Sequence, residues 1–491
     1  MEYSADQARA RDAIHTRLAS AGIDLSAKAI TAGAKEGDAN VLAVLGKAGS
    51  GKTALLVDVA DDLTEAGVQP VGGDFEPRGL RGKRSFAVLA PTNKAASVLR
   101  TRGVPATTLH RILYIPVYDP EFEKIAKWLA DPKQPRPEVE GVDDAMLDRA
   151  KEFYDAQGSI PGAMAMIGLK GSDFISGWTR REEALDVALV DEASMLDDKQ
   201  YEDLQEIFST LILFGDPAQL APVGQSGSMV FDKLPETAKP NLSRIHRQSA
   251  DNPILDLAHA LRDGVEFHEF EAEVERLAAA DDRVVVAPRA DPDLMARAPM
   301  LVWRNATRIR LIHAFRSAFG APEMELLPGE PLICDGIELP LKHRKKRIDL
   351  EARGLIKGAQ VIFLGAGKKT GFARLHVAGA EKPAISAASI IKIEAPGLDE
   401  PLIPSAARMG AAFVHGAATT IHKAQGSQWP EVQVFAPDLY AASQAGRIEA
   451  GAPLWRRLAY VAVTRAQERL HWVTRYRMAK PDKALGVADL P

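Results

Sequence analysis

"VLAVLGKAGSGKTALLVDVADDL", residues Val41–Leu63, sets a short β-branched run, a glycine-rich turn and an amphipathic segment in immediate succession. It reads as strand, turn and helix, and a second apolar strand, "SFAVLAPT" (Ser85–Thr92), follows it. That grammar predicts an α/β fold built on a parallel sheet. Within the turn, "GKAGSGKT" (Gly46–Thr53) meets the P-loop pattern in full. The glycines Gly46, Gly49 and Gly51, with Ser50 among them, let backbone N–H groups turn inward around phosphates at a helix N-terminus. Lys52 is then expected to reach the β and γ oxygens, and the Thr53 hydroxyl to ligate magnesium. ATP and Mg2+ are the cofactors this implies.

Further along, "LDVALVDEASML" and "TLILFGDPAQL" are apolar strands ending in polar turns. The first places Asp191 to hold magnesium through water and Glu192 to polarise an attacking water, although paired acids at a strand end can also cap the next helix. The second places Gln219 on a neighbouring strand end, where its two-sided amide can sense a γ-phosphate or simply satisfy loop carbonyls. Adjacent acids favour hydrolysis over transfer to a hydroxyl.

The remaining chain divides unevenly. Ile115 to Trp178 is rich in Pro, Asp and Gly and interrupts the α/β pattern. "APMLVWRN" opens a second α/β region, and the short strands and Gly turns between Leu326 and Pro404 predict a small β-barrel. A length of 491 residues with 46% hydrophobic content supports two or more cored domains. The single cysteine, Cys334, excludes an internal disulfide and a Cys-based zinc cage. The polar opening "MEYSADQARARDAIH" is unlike a secretion signal, and no apolar run is long enough to span a bilayer, so a cytoplasmic protein without membrane partners is expected. A net charge of -5 does not announce a nucleic-acid binder, but "RGLRGKR" (Arg78–Arg84) and "KHRKKR" (Lys342–Arg347) are local basic runs, either phosphate contacts or solvated loops.

Taken in order, "GKAGSGKT", "APTNKAASVL", "TTLHRIL", "VDEASML", "GDPAQLAPV", "RIHRQ", "TTIHKAQGSQW" and "YVAVTRAQERL" resemble the motifs of superfamily 1 helicases. The likeness is to the 5′-to-3′ branch that contains Dda, RecD and Pif1, and runs from Gln7 to about Leu470. It implies two RecA-like P-loop domains in tandem, each with an insertion, one of them a small SH3-like β-barrel. The segments expected are 1–114 and 184–245 for the first domain, 115–183 for its insertion, 246–325 and 405–491 for the second domain, and 326–404 for the barrel. The resemblance also implies roles. Gln7 would read adenine, against the plainer reading of a helix-surface glutamine. Arg247 and Arg465 would close on the γ-phosphate, against surface ion pairs, and Gln425 and Gly426 would lie near the nucleotide. Pro91, Thr92, Asn93, Thr108 and His110 in the first domain, with Thr420, His422 and Lys423 in the second, would contact DNA; either histidine can instead be a packed imidazole. Asn93 departs from the branch, where many relatives carry glycine.

The expected activity is ATP-dependent 5′-to-3′ translocation on single-stranded DNA with unwinding at single-strand/duplex junctions, by a monomer that works beside single-strand-binding or replication and repair proteins. An RNA helicase of the Upf1 type shares the "GDPAQL" pattern, and a P-loop kinase or ATP switch would explain Lys52 and Asp191 but leave Arg247 and Arg465 unused. A strand-separating wedge is expected within Ile115–Trp178, where Tyr118, Phe122 and Trp128 are either apolar tips or the insertion's own core.

Overall fold

The computed structural model describes residues 3–31, 39–47, 49–73, 80, 82–118, 120–131, 133–157, 163–164, 166–167, 175–222, 229–243, 252–338, 349–351, 353–398, 401–403, 407 and 409–486. The first lobe is a parallel sheet of β1 (Asn40–Gly46), β2 (Gln69–Pro70), β3 (Ser85–Ala90), β4 (Ala106–Thr108), β5 (Leu185–Val190), β6 (Phe208–Gly215) and β7 (Asn241–Leu242). Its order is β7-β1-β6-β5-β3, with β2 and β4 sharing the outer edge of β3. The central strands β1, β3, β5 and β6 are apolar on both faces because both are covered. Leu42 and Val44 of β1 face a core with Leu55, Leu56, Val59 and Leu63 of the helix Lys52–Glu65, while Val41 and Ala43 face one with Ile112, Leu204 and Phe231. Each of those fully buried leucines contributes roughly 1.5–3 kcal/mol relative to exposure.

The second lobe and the barrel interleave in sequence: β8 (Val284–Ala287), β9 (Met300–Val302), β10 (Pro331–Glu338), β11 (Gln360–Ala366), β12 (Phe372–Val377), β13 (Ala384–Lys392), β14 (Gly410–His415), β15 (Ala418–Thr420), β16 (Trp429–Phe435) and β17 (Ala466–Val473). A second parallel sheet has the order β8-β17-β16-β9-β15. Strands β10 to β14 form a closed barrel, antiparallel except where β13 and β14 meet in parallel. Its closing strand lies beyond Pro404, and two residues after it the chain enters β15 of the second lobe.

Between β4 and β5, beyond the short helix Leu109–Leu113, the described residues include a two-stranded ribbon, Tyr114–Tyr118 with Ile175–Arg180, and the helices Pro120–Ala130 and Asp144–Gln157. The helices carry their own small core of Ile125, Leu129, Leu147 and Ala150, onto which Phe122 and Trp128 pack. These two aromatics are core, not tips, whereas Ile115, Val117 and Trp178 of the ribbon are exposed. The Tyr118 side chain lies outside the described residues.

Candidate active site and nucleic-acid interface

Strand β6 runs between β1 and β5, so the sheet itself gathers the phosphate loop, the acid turn and the Gln219 turn at one edge. Gly49 and Gly51 take φ of 81° and 86°, a region that favours glycine, and Gly51 caps the helix Lys52–Glu65 with no side-chain bond. The first helical N–H groups therefore remain open to an anion. Lys52 Nζ folds back onto the loop, donating to Gly46 O at 2.7 Å and Lys47 O at 2.9 Å. Ser50 Oγ is buried without a hydrogen-bond partner, and a Cβ on Gly46 would stand 2.5 Å from it. A backbone cradle, an orphaned hydroxyl and an ammonium held by carbonyls of its own loop fit a polyphosphate.

Asp191 follows β5 and is buried; one oxygen accepts the Glu192 N–H at 3.0 Å. Burial and then the neighbouring Glu192 charge raise its pKa, against a smaller opposing effect of Lys52. A buried carboxylate of this kind gains from a cation. Among the described residues no three acidic, histidine or cysteine side chains cluster as metal ligands. Glu192 sits at φ 53°, a left-handed conformation that costs a non-glycine residue about 1 kcal/mol or more. Gln219 is buried, and its amide oxygen accepts from Ser194 Oγ at 3.3 Å, tying its turn to the acid turn.

The second lobe reaches the same edge. Arg465 is buried after the helix Leu454–Val463 and donates to Val461 O at 3.0 Å, Ser427 O at 2.9 Å and Thr464 Oγ1 at 3.1 Å. It is thus no surface ion pair. Arg457, which sequence reading passed over, crosses between lobes and donates to Pro217 O at 2.9 Å and to Gln219 O. Gln425 is buried with its Nε2 unpaired, and a Cβ on Gly426 would stand 3.5 Å from Thr92 Oγ1 of the first lobe. Arg247 lies outside the described residues. Gln7 is buried rather than on a helix surface, and its Oε1 accepts the Ser4 N–H at 3.1 Å in a capping box, which leaves its Nε2 for another partner.

The two lobes present the same pattern at their edge strands, "ATTLH" at Ala106–His110 and "ATTIH" at Ala418–His422. Thr108 ends β4 and Thr420 ends β15, so each threonine and the histidine two residues on stand at equivalent places. His110 packs edge-on against Trp178, ring centroids 4.2 Å apart, and burial lowers its pKa and that of His422. Pro91 follows β3, Thr92 caps the next helix by accepting the Ala95 N–H at 3.1 Å, and Asn93 opens that helix. Lys423 N–H donates to Thr420 Oγ1 at 3.4 Å, leaving its ammonium on an exposed side chain.

Lys94, also missed from sequence, lies between the lobes with its Nζ 5.0 Å from the Trp429 ring centre. Its pKa is pushed down to about 8 by burial and then by the charge of Arg465. Of the basic runs, Arg84 is buried against Asp186 at 2.5 Å and serves structure, while Lys342–Arg347 lies outside the described residues.

Residues 27–284 match the family model described as an AAA domain, and residues 415–473 match the UvrD-like helicase C-terminal domain. No curated protein matches the chain. Among solved structures, Pif1 from Bacteroides bound to ssDNA is 14% identical with a TM-score of 0.48, covering 100% of this chain and 95% of that one. Pif1 helicase from Candida albicans is 14% identical with a TM-score of 0.45, covering 97% of this chain and 95% of that one. With the first family match spanning more than half of its 491 residues, the chain belongs to the AAA domain family and carries a UvrD-like helicase C-terminal domain.

Proposed function

We propose that this protein is an ATP-dependent DNA helicase that moves 5′ to 3′ along a single strand and opens the duplex ahead of it. One observation carries the reading: the turn after β6 starts beside the phosphate loop and the acid turn, yet its carbonyls are bound by Arg457 of the other lobe. A nucleotide bounded by both lobes can change their spacing when it is hydrolysed.

Gly46, Gly49, Ser50, Gly51 and Lys52 would cradle the phosphates, and Gln7 would face the base with its remaining N–H. Thr53, and Asp191 through water, would hold magnesium, which when bound neutralises charge on the phosphate oxygens. Glu192 would take the proton of the attacking water. Arg465 and Arg247 would stabilise charge on the transferred phosphoryl group, Arg465 exchanging its bond to Ser427 O for a phosphate oxygen. Gln219 would report the γ-phosphate, and Gly426 would hold the second lobe close to the nucleotide.

Along the strand, Pro91, Thr92, Asn93, Thr108 and His110 would grip phosphates on one lobe and Thr420, His422 and Lys423 on the other. Two equivalent grips whose separation changes with nucleotide state make a stepping motor. The polarity rests on the motif likeness, and a monomeric working state belongs to this proposal, as does the six-segment division with the barrel's end moved to His415. Among the described residues no helix is long and apolar enough to cross a membrane. The exposed ribbon residues Ile115, Val117 and Trp178 replace Phe122 and Trp128 as the proposed strand-separating edge.

The test is ATP turnover with no nucleic acid, with single-stranded DNA and with single-stranded RNA, followed by unwinding of duplexes carrying only a 5′ or only a 3′ tail. Stimulation by DNA and opening of the 5′-tailed duplex are expected. Stimulation by RNA alone would select the RNA helicase reading, and opening of only the 3′-tailed duplex would reverse the polarity.

A further inference from the structure

The turn after β6 belongs to both lobes at once. Asp216 is fully buried, and each of its oxygens accepts from the second lobe: Oδ1 from Arg262 Nη1 at 2.8 Å, beside the Ala218 N–H of its own turn at 3.0 Å, and Oδ2 from Tyr460 Oη at 2.6 Å. Arg262 lies on the helix Pro253–Asp263 and Tyr460 on the helix Leu454–Val463, two elements packed against each other in the second lobe's core. The guanidinium carbon of Arg262 stands 5.8 Å from the Tyr460 ring centre, so the two partners brace one another. Three residues on, Gln219 N–H donates to Asp216 O at 3.1 Å and closes the turn.

The neighbours of Asp216 repeat the pattern. Leu220 is buried in the second lobe's apolar core, whereas Ala221 and Leu213 belong to a core of the first. Ala221 N–H donates to Glu449 Oε1 at 2.9 Å, and Arg457 binds the carbonyls of Pro217 and Gln219. Withdrawing the second lobe from this turn would leave a buried carboxylate with only the Ala218 N–H of its own turn and take the Arg457 and Glu449 partners from its backbone groups. The turn is therefore carried by the second lobe, while the Gln219 side chain at its end stays bound to Ser194 beside the catalytic acids.

We infer that Arg262 and Tyr460 are positioning residues that convey the second lobe's displacement to Gln219 through Asp216, and so set how much strand movement accompanies each ATP. The inference rests on the helicase reading above. Both residues act through the turn, by their bonds to Asp216.

The experiment compares wild type with Arg262→Gln, Arg262→Lys and Tyr460→Phe, the last removing one hydroxyl without changing packing volume. Measured are ATP turnover with and without single-stranded DNA, and base pairs opened per ATP. For Arg262→Gln and Tyr460→Phe, turnover is expected to stay within about two-fold while base pairs per ATP fall about five-fold or more, the span of a typical coupling between sites. Arg262→Lys, which keeps the charge, should recover part of the loss. If these residues act through Gln219, adding Arg262→Gln to Gln219→Ala should cost no further coupling. Unchanged base pairs per ATP in both variants, or equal falls in turnover and unwinding, would overturn the inference and leave the helicase reading standing. A wild-type protein that opens no duplex would remove that reading itself.

Discussion

Lys52 makes its hydrogen bonds to carbonyls of its own loop, not to the core, and this separates its function from its structural weight. Lys52→Ala is therefore expected to melt within a few degrees of wild type while ATP turnover falls about a hundred-fold or more, as when a preorganised donor to the transition state is removed. Steady-state turnover beside a thermal melt checks both halves. Arg465 differs because its guanidinium ties Val461 to Ser427 inside the second lobe. Arg465→Ala should lose turnover on the order of a thousand-fold with near-normal nucleotide affinity. It should also lose roughly 1–3 kcal/mol of stability from the carbonyls left unpaired. Denaturant titration run beside nucleotide binding separates the two losses; weakened binding with intact turnover would contradict the assignment. At this scale the motif residues were legible, because their chemistry restricts residue type. The partners of Lys94, Arg457 and Asp216 were not, since nothing local marks which distant segment a lysine, arginine or aspartate will meet.

Between elements, the junction of barrel and second lobe depends on one buried cluster. Glu330 Oε2 accepts from Arg316 Nε at 2.9 Å and from His415 Nε2 at 2.8 Å, and Ala417 N–H donates to His415 Nδ1 at 3.2 Å. Nδ1 accepts, so Nε2 carries the single proton and the imidazole is neutral. Burial, foremost, lowers the His415 pKa, outweighing the pull of Glu330. For Glu330, burial alone would raise the pKa, but the His415 hydrogen bond and charge, with Leu327 N–H and Arg316, bring it below its usual value. Both shifts have the same sign for stability. The unfolded chain binds more protons than the fold at each group, so stability falls with acidification, first below the ordinary histidine pKa of about 6.5 and then through the carboxylate range. Thermal melts between pH 7.5 and 5.5 should fall more steeply for wild type than for His415→Gln; equal slopes would refute this. The helical insertion gives the opposite case. Its core is its own, so shortening it should leave DNA-stimulated ATP turnover largely intact but stop unwinding, and full unwinding by that variant would place the strand-separating edge elsewhere.

Across the whole molecule, each of the two parallel sheets ends on an edge strand carrying the same Ala-Thr-Thr-apolar-His pattern, and the Asp216 turn and the Lys94–Trp429 pair join the two lobes. Trp429 Nε1 in turn donates to Gln360 Oε1 of the barrel at 2.8 Å, which brings the barrel to the same junction. Neutralising Lys342–Arg347 on the barrel's connecting segment should weaken single-strand affinity and flatten its salt dependence, because a phosphate that is no longer neutralised keeps its counterions and drops out of the slope. An unchanged slope would make that run a solvated loop. By itself the sequence determined what short-range chemistry dictates: the phosphate loop, the acid pair, the buried strands and an α/β class, each written in neighbouring residues whose spacing matches a strand, a turn or a helix. The tertiary structure alone decided that β6 lies between the loop strand and the acid strand, that Phe122 and Trp128 are core, and that Gly410–His415 closes the barrel. It alone also joined Asp216 to Arg262 and Tyr460. The physical reason is range: propensity and periodicity act over a few residues, whereas burial and charge pairing are settled by whatever distant segment the fold brings alongside.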